Sequence, residues 1–278
     1  MTLRLIHITD HHLGASADAV NRGYATAWAL ERLLTAIAAA GAHGADFVLS
    51  TGDLVDAGTD EEYAFARGLL GVAPDRTAAA PGPLTLRRPG FENLPLYLVP
   101  GNHDPRAAWL RNLFPATPLR EPLDLRWEHG GVAFAHLDLG VGGRAGDLRE
   151  ASLAHLDAVL SEHDRVVIVL HHHPVPVGVS WLDTMLPPGI ERLWARCRPE
   201  QVAAVLFGHA HASAATEVGG VPVIGTRSTC FQFAGTEAPE FVIRPLQYTL
   251  VSVGPEGSAT FQRYEVPLTG DPVAEAVS

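Results

Sequence analysis

Five short apolar runs, spread over most of the chain, constrain its fold more than any other feature. Each is four or five residues long and rich in Val, Leu, Ile or Phe, which is typical of a buried β-strand. The runs cover residues 3–7, 47–50, 96–99, 166–170 and 203–207. Between them, apolar residues recur at intervals of three and four, the period of an amphipathic helix. Strands that alternate with helices predict an α/β fold with a largely parallel central sheet.

The predicted helices and hairpins complete this outline. The helical pattern covers residues 24–40, 60–70, 106–113 and 150–162. Two pairs of segments flank a Gly-containing turn and are typical of β-hairpins: residues 123–128 with 132–137, and residues 214–218 with 221–224. Hairpins add antiparallel strands, so the sequence predicts either one mixed sheet or two sheets packed face to face.

No segment has the composition of a linker between domains. Residues 71–94 are rich in Pro, Gly, Ala and Arg and lack a sustained period, so we interpret them as a surface insertion. The residues from Thr269 to the end are typical of a frayed tail. We therefore expect one domain over residues 1–268 and a tail over residues 269–278.

Lysine is absent from the sequence, so all 20 basic residues are arginines. This excludes a Walker A phosphate loop, a Schiff-base lysine and the strand lysine of protein kinases, because each needs an amine side chain. With 31 acidic residues the formal net charge is −11, which argues against binding to many nucleic-acid phosphates. Two cysteines and no apolar segment typical of a signal peptide or a membrane span predict a reduced, cytoplasmic protein.

Polar side chains follow each of the five apolar runs within a few residues. They are Asp10 and His12, Asp53, Asn102 and His103, His171, and His209 with His211. In α/β sheets the ligand crevice lies beyond the carboxyl ends of the strands, so these side chains are expected to converge there. Apart from His103 they are seven candidate ligands. That is more than one tetrahedral site uses, which favours two metal ions sharing a bridging carboxylate.

The mixture of nitrogen and oxygen ligands without thiolate indicates which metals such a centre would hold. It suits two divalent or trivalent transition ions per chain, such as Mn, Fe, Co or Zn, better than Ca or Mg. Two divalent ions contribute +4 and two carboxylates −2, so a bridging hydroxide leaves a site charge of about +1. That charge matches a singly charged phosphodiester, and two metals roughly 3.5–4 Å apart can hold both the attacking and leaving oxygens during in-line displacement.

The same residues resemble a known family, the calcineurin-like metallophosphoesterases. The family pattern reads D-x-H, G-D, G-N-H-[DE], H and G-H-x-H, and residues 6–211 contain every element in order. The resemblance implies a four-layer αββα sandwich in which two mixed β-sheets are flanked by helices. It also implies two metals bridged by Asp53. One metal would be held by Asp10, His12, Asp53 and His211, and the other by Asp53, Asn102, His171 and His209.

A narrower resemblance is to the bacterial class III cyclic-nucleotide phosphodiesterases. It rests on residues 171–176, 180–183 and 228–233. Two features depart from the cyclic AMP enzymes. Residues 71–94 are longer than usual, and residues 244–248 read Arg-Pro-Leu-Gln-Tyr where a Gly-aromatic-Arg ending is expected after Phe233. Both departures concern the substrate, and neither touches a ligand.

Several histidines have two possible roles each. His103 either supports Asn102 or protonates the leaving oxygen, and we favour the acid role, which makes His103 catalytic together with Asn102 and Asp53. The family register selects His171 as the ligand, with His172 as the alternative. Neighbouring histidines are expected to pack against the ligands or to accept and donate their hydrogen bonds. These neighbours are His11, His172 and His173.

Four other residues are candidates for contact with the substrate or for simple packing. Trp181 either stacks on a nucleobase or packs on apolar neighbours. We expect Arg22 and Arg227 at the solvated surface, with phosphate contact as the alternative. Cys230 is expected to be a small buried residue and not a nucleophile.

Taken with the resemblance, these residues predict a dimetal phosphodiesterase in which a metal-bridging hydroxide attacks a small anionic diester. The expected substrates are 3′,5′-cyclic nucleotides such as cyclic AMP. Glycerophosphodiesters, other small diesters or phosphonate esters are the alternative substrates. A non-catalytic scaffold is disfavoured because all seven ligands are present. A nuclease is disfavoured by the acidic balance and the missing lysine. No membrane partner is expected, and a homodimer is left open.

Overall fold

The computed structural model describes residues 1–235, 239–257 and 259–269, without the side chains of residues 141, 142 and 144. The predicted tail from Thr269 lies outside the described residues from position 270 onward. The strands of the described part are β1 Leu3–Ile8, β2 Val20–Asn21, β3 Tyr24–Ala25, β4 Phe47–Ser50, β5 Leu84–Thr85, β6 Pro95–Leu98, β7 Leu125–His129, β8 Val132–Leu137, β9 Val166–Leu170, β10 Val202–Phe207, β11 Ala214–Val218, β12 Val221–Gly225, β13 Gln232–Ala234, β14 Glu240–Val242, β15 Leu246–Val253 and β16 Ala259–Val266.

The helices lie between these strands in the order that the sequence predicts. They are α1 Thr26–Ala39, α2 Asp60–Leu70, α3 Arg106–Leu113, α4 Glu150–Glu162, α5 Ser180–Asp183 and α6 Glu191–Trp194, with 3-10 turns at Gly41–Gly44 and Gly140–Ala145. Local signals fix the ends of α2. Thr59 and Glu62 form a capping box at its start, and Gly71 adopts the left-handed conformation that ends it.

Two six-stranded mixed sheets form the centre of the molecule. The first sheet has the order β16-β15-β1-β4-β6-β5, and the second has the order β11-β12-β10-β9-β8-β7. In the first sheet β1, β4 and β6 run parallel, and in the second β8, β9, β10 and β12 run parallel. The remaining strands of each sheet pair antiparallel at its edges. The expectation of two face-to-face sheets, not one, is therefore confirmed.

Burial along β9 shows how the layers stack. Val167 and Val169 belong to the apolar core that includes β1, β4 and α1, whereas Val166, Ile168 and Leu170 belong to a second core that includes α4. Because side chains alternate along a strand, β9 is buried on both faces, as its unbroken apolar sequence predicts. With α1 on the first sheet and α4 on the second, the fold is the predicted four-layer αββα sandwich.

Two expectations need correction, and two strands were not predicted. The helix predicted from Tyr24 begins at Thr26, because Tyr24–Ala25 pairs with Val20–Asn21 as a short hairpin. Residues 71–94 are more than a surface insertion, since Leu84–Thr85 extends the first sheet. Leu84, Leu86 and Phe91 of this segment are buried in the core. The strands β15 and β16 were not predicted from the sequence. They form an antiparallel pair, and β15 pairs with β1.

Candidate metal centre

The structure brings all eight sequence-predicted side chains together at the carboxyl ends of the parallel strands. From the first sheet come Asp10 and His12 after β1, Asp53 after β4, and Asn102 and His103 after β6. From the second sheet come His171 after β9, and His209 and His211 after β10. Apart from Asn102 and His103 these residues are buried. The expected convergence at one crevice is thus what the fold produces.

The backbone is strained at this crevice. Five of the predicted ligands adopt the left-handed conformation, which side chains other than Gly rarely occupy: Asp10 (φ 54°), His12 (φ 46°), Asp53 (φ 51°), His209 (φ 62°) and His211 (φ 47°). Each such residue costs on the order of 1–3 kcal/mol, and such costs concentrate at functional sites. The strain turns the side chains off the strand ends and into a common space.

Three glycines make the close approach of these loops possible. A Cβ atom at Gly101 would clash with the carboxylate and backbone nitrogen of Asp53, and one at Gly208 would lie 2.7 Å from Asp10 Oδ2. A Cβ at Gly52 would lie 2.8 Å from Gly101 Cα. The G-D, G-N-H and G-H-x-H motifs therefore need Gly beside each functional residue for reasons of space.

Four ligand atoms form a first group. His12 Nε2 lies 3.1 Å from His211 Nε2 and 3.5 Å from Asp53 Oδ2. Asp10 Oδ1 lies 3.4 Å from His211 Nε2 and 4.0 Å from His12 Nε2. The atoms come from three different loops, yet they point at one small volume.

A second group shares one oxygen with the first. His171 Nε2 lies 3.3 Å from Asp53 Oδ2 and 3.0 Å from Asn102 Oδ1. His209 Nδ1 lies 2.8 Å from the same Asn102 oxygen and 3.3 Å from His171 Nε2. Asp53 Oδ2 thus faces both groups, as a bridging carboxylate must.

Hydrogen bonds at the far side of each ring determine which nitrogen faces the centre. His171 Nδ1 donates to Thr51 O at 2.8 Å, and His211 Nδ1 donates to Phe231 O at 2.8 Å. His12 Nδ1 lies 3.2 Å from Asp56 Oδ1. These partners assign an N–H to each Nδ1 and direct Nε2 to the centre, an arrangement that metal-bound histidines commonly have.

This arrangement fits bound cations. His12 Nε2 and His211 Nε2 face each other across 3.1 Å, and anionic Asp10 and Asp53 flank them. Two ring nitrogens this close repel unless a proton or a metal cation lies between them. Groups of potential ligand atoms within 4.8 Å of one another include Asp10, Asp53 and His171, and also His12, His211 and Cys230. The donor set therefore suits transition ions on both sides of Asp53.

The charges of the side chains in the crevice also favour bound cations. Burial raises the pKa of Asp10, but His211 outweighs it and lowers the pKa to about 2. The pKa of Asp53 is likewise held well below its usual value by His171 despite burial. Burial lowers the pKa of His211, but Asp10 raises it more, to about 10. Two buried carboxylates thus stay ionised and attract positive charge.

A buried arginine holds the loop that carries Asn102 and His103. Arg106 Nε donates to Asp138 Oδ2 at 2.9 Å, and its Nη1 donates to the carbonyl oxygens of Gly101 and Asp104. The Asp104 carboxylate accepts the backbone N–H of Gly101 at 2.9 Å and the Tyr63 hydroxyl at 2.9 Å. The backbone N–H of His103 in turn donates to Asp53 Oδ1 at 2.8 Å. Charge-assisted hydrogen bonds therefore fix the loop that carries Asn102 and His103.

The three other histidines of the motifs lie around the ligands. His11 bonds to Ser50 and Thr229 through its two ring nitrogens at 2.9 and 2.8 Å. His172 Nε2 lies 2.8 Å from Gly143 O, and His173 Nε2 lies 3.2 Å from Leu182 O. His171, and not His172, has its ring nitrogen at the carboxylate and amide oxygens. The geometry therefore favours the register that the family pattern indicates.

Sequence reasoning missed two residues of the site. Asp56 accepts a hydrogen bond from His12, and its backbone oxygen lies 2.6 Å from His103 Nδ1. Arg106 supports the Asn102 loop as described above. Asp56 follows Asp53 by three residues in the same loop, which is the one local signal that could have indicated it.

A pocket opens above the ligands, with a cavity volume of about 240 Å³. Its walls include Arg22, Trp181, Phe231, Phe233 and Phe241. Arg22 is exposed, as expected of a surface arginine, and it also lines the pocket. The second arginine, at position 227, forms a 2.6 Å ion pair with Glu265, as expected of a surface arginine.

Trp181 and Cys230 are also placed by the structure. Trp181 Nε1 donates to Ala234 O at 3.0 Å, and its ring packs edge-on against Phe233 at 5.2 Å. Cys230 is fully buried, as expected, and its Sγ lies 2.9 Å from Ser228 Oγ. Trp181 thus both packs on an apolar neighbour and lines the pocket.

Comparison with known proteins agrees with this geometry. The family model described as calcineurin-like phosphoesterase matches residues 3–213. The fold and the site define a metal-dependent phosphoester hydrolase. The chain belongs to the calcineurin-like phosphoesterase family, whose members use a dinuclear metal centre, and the resemblance seen in the sequence is confirmed.

Two relatives and one solved structure show how far the similarity extends. The 3′,5′-cyclic adenosine monophosphate phosphodiesterase CpdA of Haemophilus influenzae is 30% identical over 237 residues, which are 83% of this chain and 78% of that protein. The glycerophosphodiester phosphodiesterase GpdQ of Enterobacter lignolyticus is 30% identical over 174 residues, 60% of this chain and 56% of that protein. The crystal structure of a dimetal phosphatase from Danio rerio matches with a TM-score of 0.56 at 15% identity, covering 93% of this chain and 98% of that one, and supports the fold alone.

Among the residues that the structure describes, none of the helices has the length and apolar character needed to cross a membrane.

Proposed function

We propose that the protein is a dimetal phosphodiesterase that hydrolyses small anionic diesters. Its preferred substrates are proposed to be 3′,5′-cyclic nucleotides such as cyclic AMP. One observation carries the proposal. Asp53 Oδ2 lies 3.5 Å from His12 Nε2 and 3.3 Å from His171 Nε2, so a single carboxylate oxygen serves two ligand groups. Two-metal sites of this kind are a recurrent solution for in-line displacement at phosphorus.

Each ligand group is proposed to hold one Mn, Fe, Co or Zn ion. The first ion is assigned to Asp10, His12, Asp53 and His211, and the second to Asp53, Asn102, His171 and His209. When bound, the two ions supply the Lewis acidity that activates water and neutralises the phosphoryl oxygens. The protein's part is to direct Nε2 of these rings to the centre through the contacts of Nδ1 with Thr51, Phe231 and Asp56.

His103 is proposed as the general acid. Its Nδ1 is held by Asp56 O at 2.6 Å, and its ring packs edge-on against His12 at 4.6 Å. The side chain is 40% exposed and lines the pocket, so Nε2 is free to carry a proton to the leaving oxygen. Asn102 Oδ1 lies 3.0 Å from His171 Nε2 and 2.8 Å from His209 Nδ1, and Asn102 is proposed to orient the reacting phosphoryl group as well as to bind metal.

The choice of substrate rests on charge and size. A site charge of about +1 is better matched to a diester monoanion than to a neutral ester or a dianionic monoester. The cavity of about 240 Å³ is near the lower end of the volumes that hold small organic ligands. The similarity to CpdA supports cyclic AMP, and the shorter match to GpdQ keeps glycerophosphodiesters as the second candidate.

A substrate panel tests the proposal. The metal-loaded protein is given cyclic AMP, cyclic GMP, a glycerophosphodiester, a phosphonate monoester and nitrophenyl phosphate under one metal condition, and kcat/KM is compared. We expect cyclic AMP to be hydrolysed to a nucleoside monophosphate at least as efficiently as the others. A value for cyclic AMP about tenfold or more below the glycerophosphodiester or the monoester, worth about 1.4 kcal/mol of transition-state binding, would remove the cyclic-nucleotide assignment and leave the dimetal chemistry.

A further inference from the structure

An aromatic surface leads away from the metal ligands along one wall of the pocket. Phe231 lies 5.0 Å from His211, and Phe233 stacks on the same imidazole at 4.3 Å. Phe241 packs edge-on against Phe231 at 5.0 Å and is itself 39% exposed. This aromatic wall, formed by Phe231, Phe233 and Phe241, therefore runs from the floor of the pocket to its mouth.

Arg22 covers the outer end of this wall. Its guanidinium carbon lies 4.0 Å from the ring centroid of Phe241 and 5.7 Å from that of Phe231. Within the described residues no carboxylate or carbonyl oxygen accepts a hydrogen bond from this guanidinium, whereas Arg32, which lies over Trp28 elsewhere on the surface, donates to Pro267 O. As far as the described residues go, the guanidinium donors are available at the pocket mouth.

The turn of the β2–β3 hairpin positions Arg22 at the pocket mouth. Residues 22 and 23 form the turn of the β2–β3 hairpin, with φ of 50° at Arg22 and 79° at Gly23. A turn with two positive φ values normally takes Asn or Gly at its first position, so Arg is an unfavourable choice for the turn itself. The preceding residue, Asn21, donates to Asp56 Oδ1 at 2.6 Å, which ties the hairpin to the residue that orients His12.

Arg22 lies at the end of the aromatic wall that is farther from His211, where the organic part of a bound diester would extend. Three aromatic faces and a guanidinium plane form flat surfaces, and flat surfaces gain most from a flat group. A glycerol chain has no such face, whereas a nucleobase offers both a π-face and acceptor atoms at its edge. We propose that Arg22 and Phe241 form the subsite for the organic group of the diester, that this group is a nucleobase, and that Arg22 is a specificity-determining residue. This inference rests on the proposed function.

The test compares two diesters that differ in the flat group. Cyclic AMP and glycerophosphoethanolamine are assayed with metal-loaded wild type and with Arg22→Met, which keeps the length of the side chain but removes its charge and plane. Arg32→Met is the matched control, because it removes an arginine stacked on an aromatic ring outside the pocket. Removal of a cation–π and stacking contact is expected to raise KM for cyclic AMP about tenfold with kcat changed less than about threefold. Glycerophosphoethanolamine is expected to be unaffected, and the control is expected to match wild type for both.

Two additional readouts separate the possible causes. Arg22→Lys keeps the charge without the plane and is expected to show the same rise in KM, so wild-type behaviour of this variant would overturn the proposal in favour of simple charge attraction. Equal losses for both diesters in Arg22→Met would also overturn it. Equilibrium binding of AMP to the metal-loaded proteins, with an expected increase of about tenfold in Kd for Arg22→Met, tests the subsite without catalysis. If wild type hydrolyses neither diester, the proposed function fails, and the AMP binding result alone then supports or overturns the subsite.

Discussion

The two sheets contribute different chemistry to the crevice. The first sheet supplies both carboxylates, the amide and one imidazole, from Asp10, His12, Asp53 and Asn102. The second supplies imidazoles only, from His171, His209 and His211. Each ligand group therefore takes its oxygens from one sheet and completes its set with nitrogens from the other. Neither sheet has a full set of the proposed ligands by itself, so the proposed centre depends on how the two layers pack.

This division explains the direction of the electrostatics. The carboxylates of the first sheet and the imidazoles of the second attract each other. This attraction lowers the pKa of Asp10 to about 2 and raises that of His171 to about 9, in both cases against the effect of burial. The backbone N–H of His209 also donates across the gap to Asp10 Oδ2 at 2.9 Å. The layers thus have contacts of their own, and bound cations would add to them.

Removing the shared carboxylate should break the centre most completely. In Asp53→Ala both ligand groups lose their common oxygen, and two cations would then face each other with less charge between them. We expect both metals to be lost and kcat/KM to fall by about 10³-fold or more. Metal analysis and steady-state kinetics measure this, with Asp75→Asn, a change outside the crevice, as the control. Retention of two metals in Asp53→Ala would show that the bridge has been assigned wrongly.

A change at His103 should lower turnover without removing metal. His103→Ala leaves all seven proposed ligands in place, so the metal content is expected to equal that of wild type. Turnover is expected to fall by ~10²–10⁴-fold, and most for poor leaving groups, because a general acid helps those most. Rates for nitrophenyl and alkyl leaving groups provide the comparison. Equal losses for the two classes would argue against an acid role.

The close approach of the first-sheet loops can be tested at Gly101. In Gly101→Ala the added Cβ meets Asp53, so the carboxylate must shift, and a displacement of about 1 Å in such a site costs about 10²-fold in rate. Gly68→Ala on α2 is the control, since nothing lies within 4 Å of its Cβ position, and it is expected to gain up to about 1 kcal/mol in stability. Full activity in Gly101→Ala would contradict the account of the loop packing.

The smallest effect concerns an imidazole of the second sheet that has no role in the crevice. His136 on β8 is fully buried, and neither ring nitrogen has a partner among the described residues. Burial lowers its pKa from 6.5 to about 3. Between these values the unfolded chain binds the proton and the folded chain does not, so stability decreases as the pH falls through this window.

His136→Leu removes this titration. Between pH 7 and pH 5 wild type is expected to lose about 2 kcal/mol more free energy of unfolding than the variant. Urea unfolding of both proteins, treated with chelator so that metal release adds nothing to the slope, measures the difference. Parallel stability profiles for the two proteins would mean that His136 is not held neutral in the fold.

The sequence predicts those parts of the fold whose signal is local. The parallel strands are continuous apolar runs, and α2, α3 and α4 lie at their predicted bounds because their period and end residues are local. β15 and β16 were missed because polar residues such as Gln247 and Thr249 interrupt the apolar pattern of β15. Most residues of β16 are exposed or half-buried, and the pairing of β15 with β1 joins residues about 250 positions apart.

The candidate site divides in the same way. The convergence of the proposed ligands could be predicted because each follows a strand in a short motif, so topology alone brings them together. The role of Arg22 could not, because the rings beneath it, Phe231 and Phe241, are more than 200 residues away in sequence. Burial of Leu86 and Phe91 depends likewise on packing that an irregular, Pro-rich segment does not reveal.

Metal stoichiometry tests the central claim most directly. The purified protein is stripped with chelator, reconstituted with Mn or Fe, freed of excess ion and analysed for metal per chain. If oxygens of the first sheet and nitrogens of the second form two ligand groups around Asp53, about two ions per chain are expected. No more than trace metal after reconstitution would contradict the account.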